Sequence, residues 1–531
     1  MKLFVLLNII AIIGLVSSST ISTTTLDIAD GPLEGLQYDT YRAFLGVQFI
    51  QPPIGSLRWK SPVAPTPWSP SVYNATYERP GCPQVCEMPN ATCPSVTSED
   101  CLYLNVYTPL VTDNTELLPV MVFFPGGRFS MGAASTPLYD GGSFVNRSNV
   151  ILVTTNYRLG VLGFLATDTI AGNFGFEDQL MSLQWVQANI KSFGGDPTRV
   201  TVFGESAGGT SSSIHLTSPA SAGLFSNLII ESNPWALPVK TAKQMYPLAE
   251  KFAKDLGCKV TDDACMMAKT VDEITIAQNT SENSFSVLHP LFAFLPWTPI
   301  VDGKLILDQP LAMLEKGNFN KVPVLMGTVQ EEALIFIASV STNINSLEYH
   351  AALVDIFGRY SIGIDELYKP LVNGSNYEGL MTTIGTDYIF VCPTRRAAVA
   401  VAQAGLPVFQ YQFIHVSSFD AYGPAYPMCV DAVCHGMELP YVFNTVTATG
   451  QFTFTPAEQQ LSYDMMAYWS NFAKTSNPNV NTGSGFTPAQ PWTMYSAQGD
   501  STLIFQTPTT QTTGLRAHYC DYFDTIGYEI W

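Results

Sequence analysis

The apolar run Val200-Thr201-Val202-Phe203 passes without a break into Gly204-Glu205-Ser206-Ala207-Gly208-Gly209, and no other stretch of this chain constrains its fold as strongly. A strand has to end there in a turn sharp enough to expose the Ser206 hydroxyl, and a helix has to start at once. Such a turn needs small residues two places before and after the serine, where Gly204 and Gly208 stand. Ser206 is therefore the candidate nucleophile. A bare G-x-S-x-G also arises by chance as an ordinary glycine-rich turn, so the rest of the chain has to decide.

Apolar runs at 120–124, 150–155, 200–203, 228–231 and 322–327 alternate with amphipathic helical stretches. That alternation predicts an α/β fold with a large, mostly parallel central sheet flanked by helices. No repeat, linker or low-complexity stretch divides the 531 residues, so a single domain over 19–531 is expected. Residues 1–18 hold Lys2, an apolar run over 3–16 and a small-residue end, the build of a secretory signal peptide. No later run approaches the length of a membrane span and the C-terminus carries no hydrophobic tail, so no membrane anchor is expected. A secreted or vesicular glycoprotein fits, with sequons at Asn74, Asn90, Asn146, Asn279 and Asn373. Ten cysteines, an even number behind an export signal, predict disulfide bonds. A net charge of −19 argues against nucleic acid or anionic membranes as partners, and an acidic surface that aids solubility is the simpler reading. The cysteines and histidines show no paired zinc-ligand spacing, so no metal is expected.

Around the turn, Gly172-Asn173-Phe174-Gly175-Phe176-Glu177-Asp178-Gln179 and Gly194-Gly195-Asp196-Pro197 lead up to Gly209. With Glu99-Asp100-Cys101-Leu102-Tyr103-Leu104-Asn105-Val106, Asn156-Tyr157-Arg158-Leu159-Gly160 and shorter matches at Phe44-Leu45-Gly46, Val301-Asp302-Gly303 and His435-Gly436-Met437-Glu438, the chain resembles the type-B carboxylesterase/cholinesterase family of α/β-hydrolases. The resemblance implies the α/β-hydrolase fold and ester hydrolysis through an acyl-enzyme, with no cofactor.

A serine hydroxyl is a weak nucleophile at neutral pH and needs a base, for which histidine has the suitable pKa. Of six histidines, His435 matches the family's catalytic one, in the chain order serine, acid, histidine. His215 rivals it by nearness to Ser206, but a helix leaving the turn would bury it, so it reads as structural; His289, His350, His415 and His518 read as loop or surface residues. The acid that orients the imidazole belongs on a loop after a core strand, where Glu331 and Glu332 stand side by side. The resemblance aligns Glu332 with the triad acid and leaves Glu331 as a solvated loop charge. Glu205 reads as a buried carboxylate that organises the pocket.

Backbone N–H groups aimed at the developing oxyanion contribute a few kcal/mol each. The resemblance places Pro125-Gly126-Gly127-Arg128-Phe129 in the oxyanion loop, with donors from Gly127, Arg128 and Ala207. The family has a small residue at 128. An arginine there could exclude bulky groups, attract an anionic substrate or lower activity, and a side chain pointing into solvent is slightly favoured. The resemblance also implies disulfides Cys82–Cys101, Cys258–Cys265 and Cys392–Cys520, while nearness in sequence suggests Cys86–Cys93 and Cys429–Cys434. Between Cys82 and Cys101 no tryptophan is available for a quaternary-ammonium cage, which argues against choline esters. Trp235 and Phe336 are candidate pocket walls. The expectation is a serine esterase for neutral small or medium esters; the competing readings are an adhesion, storage or scaffold protein on the same fold, and a triacylglycerol lipase.

Overall fold

The structure is a computed structural model that describes residues 21–529 except 89, 111–115, 285–289, 342, 373, 375–376, 450–451, 482–487 and 489. The expected signal peptide, His289 and the sequon Asn373 lie outside the described residues, as does the side chain of Asn90. Asn74 and Asn146 are exposed and Asn279 is half-buried.

Thirteen strands form one sheet. Its main members are β1 (Ser22–Ile28), β2 (Gly31–Gln37), β3 (Tyr41–Gln48), β4 (Tyr103–Pro109), β5 (Leu118–Phe124), β6 (Ile151–Thr155), β7 (Gly195–Glu205), β8 (Asn227–Glu231), β9 (Val324–Val329), β10 (Val408–Phe413), β11 (Ser501–Phe505) and β12 (Thr510–Thr513). They lie in the order β1-β2-β3-β4-β6-β5-β7-β8-β9-β10-β11-β12. From β6 to β11 all neighbours are parallel; the outer pairings are antiparallel. The five apolar runs fall in β5, β6, β7, β8 and β9, as expected of strands covered on both faces. Every residue of β5, β8 and β9 is buried. Alternation splits them between two cores: Val120, Val122 and Phe124 join one cluster, Met121 and Phe123 the other.

Helices cover both faces, among them α1 (Phe174–Asn189), α2 (Ala207–Thr217), α3 (Pro290–Phe294), α4 (Leu334–Val340), α5 (Cys392–Gln403), α6 (Pro456–Thr475) and α7 (Ala517–Ile526). The longest, α6, starts at a capping box between Thr455 and Glu458 with Pro456 in its first turn, and it buries Trp469 beneath the sheet. All five expected disulfides are formed. Among the described residues no helix is long and apolar enough to cross a membrane. The loops that follow the carboxyl ends of β5, β7, β9 and β10 carry the candidate residues, and they meet at one edge of the sheet.

Candidate active site

Strand β7 ends at Glu205, and Ser206 follows with φ 58° and ψ −118° before α2 begins. This left-handed conformation is costly for a residue with a side chain and is held by its surroundings. The Ser206 N–H donates to the Glu231 carbonyl at 3.0 Å. A Cβ on Gly208 would stand 1.9 Å from the Phe124 carbonyl oxygen, and one on Gly204 would stand 2.6 Å from the Gly208 carbonyl carbon. Glycine at both places is therefore a packing requirement.

His435 comes from the loop after β10 and is brought to Glu332, whose loop follows β9. The His435 Nδ1 lies 2.5 Å from Glu332 Oε2, and the other Glu332 oxygen accepts the Val329 N–H at 2.8 Å. Glu332 is fully buried. The imidazole packs against Phe336 and Phe390, each with ring centroids 5.2 Å away, and Tyr422 donates its hydroxyl to the His435 carbonyl. The other imidazole nitrogen, Nε2, has no hydrogen-bond partner among the described residues; it lies 3.1 Å from Glu205 Oε1 without hydrogen-bond geometry. Ser206 and His435 line the same cavity, of about 190 Å³.

Glu331 differs from its expected role. It is half-buried, and one carboxylate oxygen accepts the Val433 N–H at 2.8 Å while its own N–H donates to the Val433 carbonyl at 3.0 Å. It ties the acid loop to the histidine loop two residues before His435, where Glu331 and Cys434 form a parallel β-bridge. His215 is structural, as expected: fully buried beside Phe124 and Phe176, bonded through Nδ1 to Ser221 Oγ at 2.8 Å, and pushed down to about 3 by burial. His350 and His518 are exposed and His415 is half-buried, all outside the cavity wall.

Four buried carboxyls, Glu205, Glu231, Glu332 and Glu438, act on one another electrostatically around the histidine. Burial, then the charges of Glu332 and Glu231, holds the Glu205 acid well above the usual range. Glu438 is raised by burial and then by Glu205, Glu231 and Glu332. Glu231 is pushed up to about 7 by burial, although it accepts the Trp469 indole N–H at 2.9 Å. Burial beside other carboxylates disfavours the ionised form of Glu205 where it faces the pocket.

The loop after β5 carries Gly127, Arg128 and Phe129 at φ 111°, 58° and 59°. Phe129 is fully buried against Phe164, the Gly160 N–H donates to its carbonyl, and Tyr157 donates to the Pro125 carbonyl at 2.8 Å. Gln84, which the sequence reading did not single out, clamps Gly132 through both its amide N–H and its oxygen, at 2.9 and 2.8 Å. The Arg128 side chain does not simply point into solvent. It is half-buried in the cavity wall and its Nε donates to the Phe294 carbonyl at 3.3 Å. Phe336 lines the cavity, but Trp235 does not; it is buried in the main hydrophobic cluster. Among the described residues no tryptophan lines the cavity. Phe390, which packs on His435, comes from a π-helical stretch, Thr386–Val391.

A large parallel sheet, a serine at a strained strand-to-helix turn and an adjoining histidine–glutamate pair define a hydrolase of the α/β-hydrolase class. The chain belongs to the carboxylesterase family, whose profile matches residues 22–523. Its relatives include the cAMP-regulated D2 protein of Dictyostelium discoideum, 39% identical over 90% of this chain and 88% of that protein. The acetylcholinesterase of Bungarus fasciatus is 33% identical over 91% of this chain and 82% of its own. Among solved structures, a thermophilic PNB esterase superposes with a TM-score of 0.80 at 30% identity, covering 94% of this chain and 99% of that one.

Proposed function

We propose that the protein is a secreted serine carboxylic-ester hydrolase that works through an acyl-enzyme. Ser206 attacks the ester carbonyl and His435 Nε2 takes its proton; Glu332 holds Nδ1–H and stabilises the imidazolium. The N–H groups of Gly127, Arg128 and Ala207 stabilise the oxyanion, each donor contributing about 3 kcal/mol. His435 then returns the proton to the leaving alcohol, and a water activated the same way releases the acid and regenerates Ser206. The observation that supports this most is the convergence of a strained Ser206 and the 2.5 Å His435–Glu332 contact beside one cavity. A cavity of that size suits small or medium esters, and the lack of a tryptophan among its described lining residues disfavours choline esters. The five disulfides fit an oxidising compartment outside the cytosol.

Arginine in the oxyanion loop, together with the similarity to the cAMP-regulated D2 protein, favours a scaffold protein with a silent site. Hydrolysis of p-nitrophenyl acetate, butyrate and palmitate, with fluorophosphonate labelling, decides between them. Wild type should turn over the short esters and label, and Ser206→Ala should lose labelling and at least about 10⁴ in kcat. A wild type that neither labels nor turns over any ester supports the scaffold; preference for palmitate supports a lipase.

A further inference from the structure

We infer that Arg128 is a recognition residue for substrates that carry a carboxylate beside the scissile ester, such as hemiesters of dicarboxylic acids. The inference rests on the hydrolase reading and deepens it. Arg128 belongs to the loop beside the nucleophile: a Cβ on Gly126, two residues earlier, would lie 3.2 Å from Ser206 Cβ. Its φ of 58° is one that a glycine would adopt without strain, so the side chain is kept there at a conformational cost. Burial of Phe129 and the bonds from Gly160 and Tyr157 fix the loop, which presents the guanidinium in one place.

Among the described residues that guanidinium makes no ion pair, and Glu282 is the carboxyl that feels its charge. Of its donors, Nε is bonded to the Phe294 carbonyl, and no carboxylate among the described residues lies within ion-pair distance of it. Glu282 feels its charge but keeps a buried carboxyl oxygen without a hydrogen-bond partner, and burial holds that acid up to about 7. Of the acidic residues in the cavity wall, Glu205 is pushed by burial above the usual carboxylate range and Glu87 is exposed. A half-buried arginine whose two terminal nitrogens make no hydrogen bond among the described residues is a ready fork for a carboxylate, which it takes in two parallel bonds. Neutral esters, expected from the sequence, leave that fork unused.

The test compares 4-nitrophenyl hydrogen glutarate with 4-nitrophenyl methyl glutarate, corrected for spontaneous hydrolysis, in wild type, Arg128→Lys and Arg128→Gln. Each variant keeps the backbone N–H, and the ratio of the two kcat/KM values cancels any general loss of activity. Wild type should favour the charged ester at least tenfold. Arg128→Gln should lower that ratio tenfold or more, mostly through KM, with Arg128→Lys between. A ratio that is the same in wild type and Arg128→Gln overturns the inference. Binding supplies a second readout that needs no turnover: monomethyl glutarate should raise the Tm of wild type more than dimethyl glutarate does, and should lose that advantage in Arg128→Gln. Equal shifts in the two proteins also overturn it. Absence of labelling and turnover on every ester would instead sink the hydrolase reading, with the Tm shifts still deciding Arg128. If Arg128→Gln does not fold, Arg128→Lys and Arg128→Gly carry the same comparison.

Discussion

Glu331 and Glu332 are neighbours in sequence with different partners, and their amide variants should separate the two roles. Glu332→Gln leaves the imidazole without its charged partner and should lower kcat by roughly 10³ to 10⁴ with little change in KM. Glu331→Gln keeps an acceptor for Val433 and should lower kcat only about tenfold, with a fall in Tm that Glu332→Gln need not share. Steady-state kinetics and thermal melts check both. Burial also sets opposing pH limits on stability. Glu231 titrates near 7 in the fold against an ordinary 4.5, so its contribution is full below about pH 4.5 and is lost as pH rises through 7. The loss is on the order of 3 kcal/mol. His215, depressed to about 3 from 6.5, contributes fully above pH 6.5 and loses that contribution as pH falls toward 3. Melts of wild type and Glu231→Gln from pH 4 to 9 should therefore diverge above pH 5, with the variant gaining on wild type as pH rises; parallel curves would contradict the assignment. Its local motif singles out Ser206, and the resemblance singles out His435 and Glu332, which the structure brings into contact. Glu331 departs from the expected solvated charge because its carboxylate is taken by a backbone N–H, which no side-chain motif marks, and Trp235 departs because its ring is buried in the main cluster and not in the cavity wall.

Disulfides divide the elements by what they hold. Cys429–Cys434 closes a five-residue separation immediately before His435, and Cys392–Cys520 joins α5 to α7 across 128 residues. Chain entropy alone assigns about 2 kcal/mol to the first and about 5 kcal/mol to the second. The paired serine variant of Cys392 and Cys520 should thus lower Tm by more, while that of Cys429 and Cys434 should lower kcat by more; the reverse ranking in melts and kinetics would show that the short clasp is not what positions the histidine. The parallel strands were legible because residues covered on both faces must be apolar along their whole length. Strand β1, Ser22–Ile28, reads as polar because it pairs at an edge with most of its side chains exposed or half-buried. The turn that supplies Phe390 reads as ordinary helix, since one extra residue in a helical turn leaves no mark on composition.

Over the whole molecule, a net charge of −19 repels itself in the compact state, and screening relieves that repulsion. Raising NaCl from 10 to about 200 mM should raise Tm by a few degrees, measured by calorimetry at constant pH; a fall would point instead to attractive surface pairs as the larger effect. The packing of Gly208 against the Phe124 carbonyl has a consequence at this scale as well. It joins the end of one strand to the start of a helix with no room between them, so the Ser206 hydroxyl and the loop after β5 are two faces of one solid part. Their spacing is settled during folding and does not need a substrate to assemble it. Heating should therefore leave turnover intact up to the point at which the sheet itself melts, after which the two disappear together.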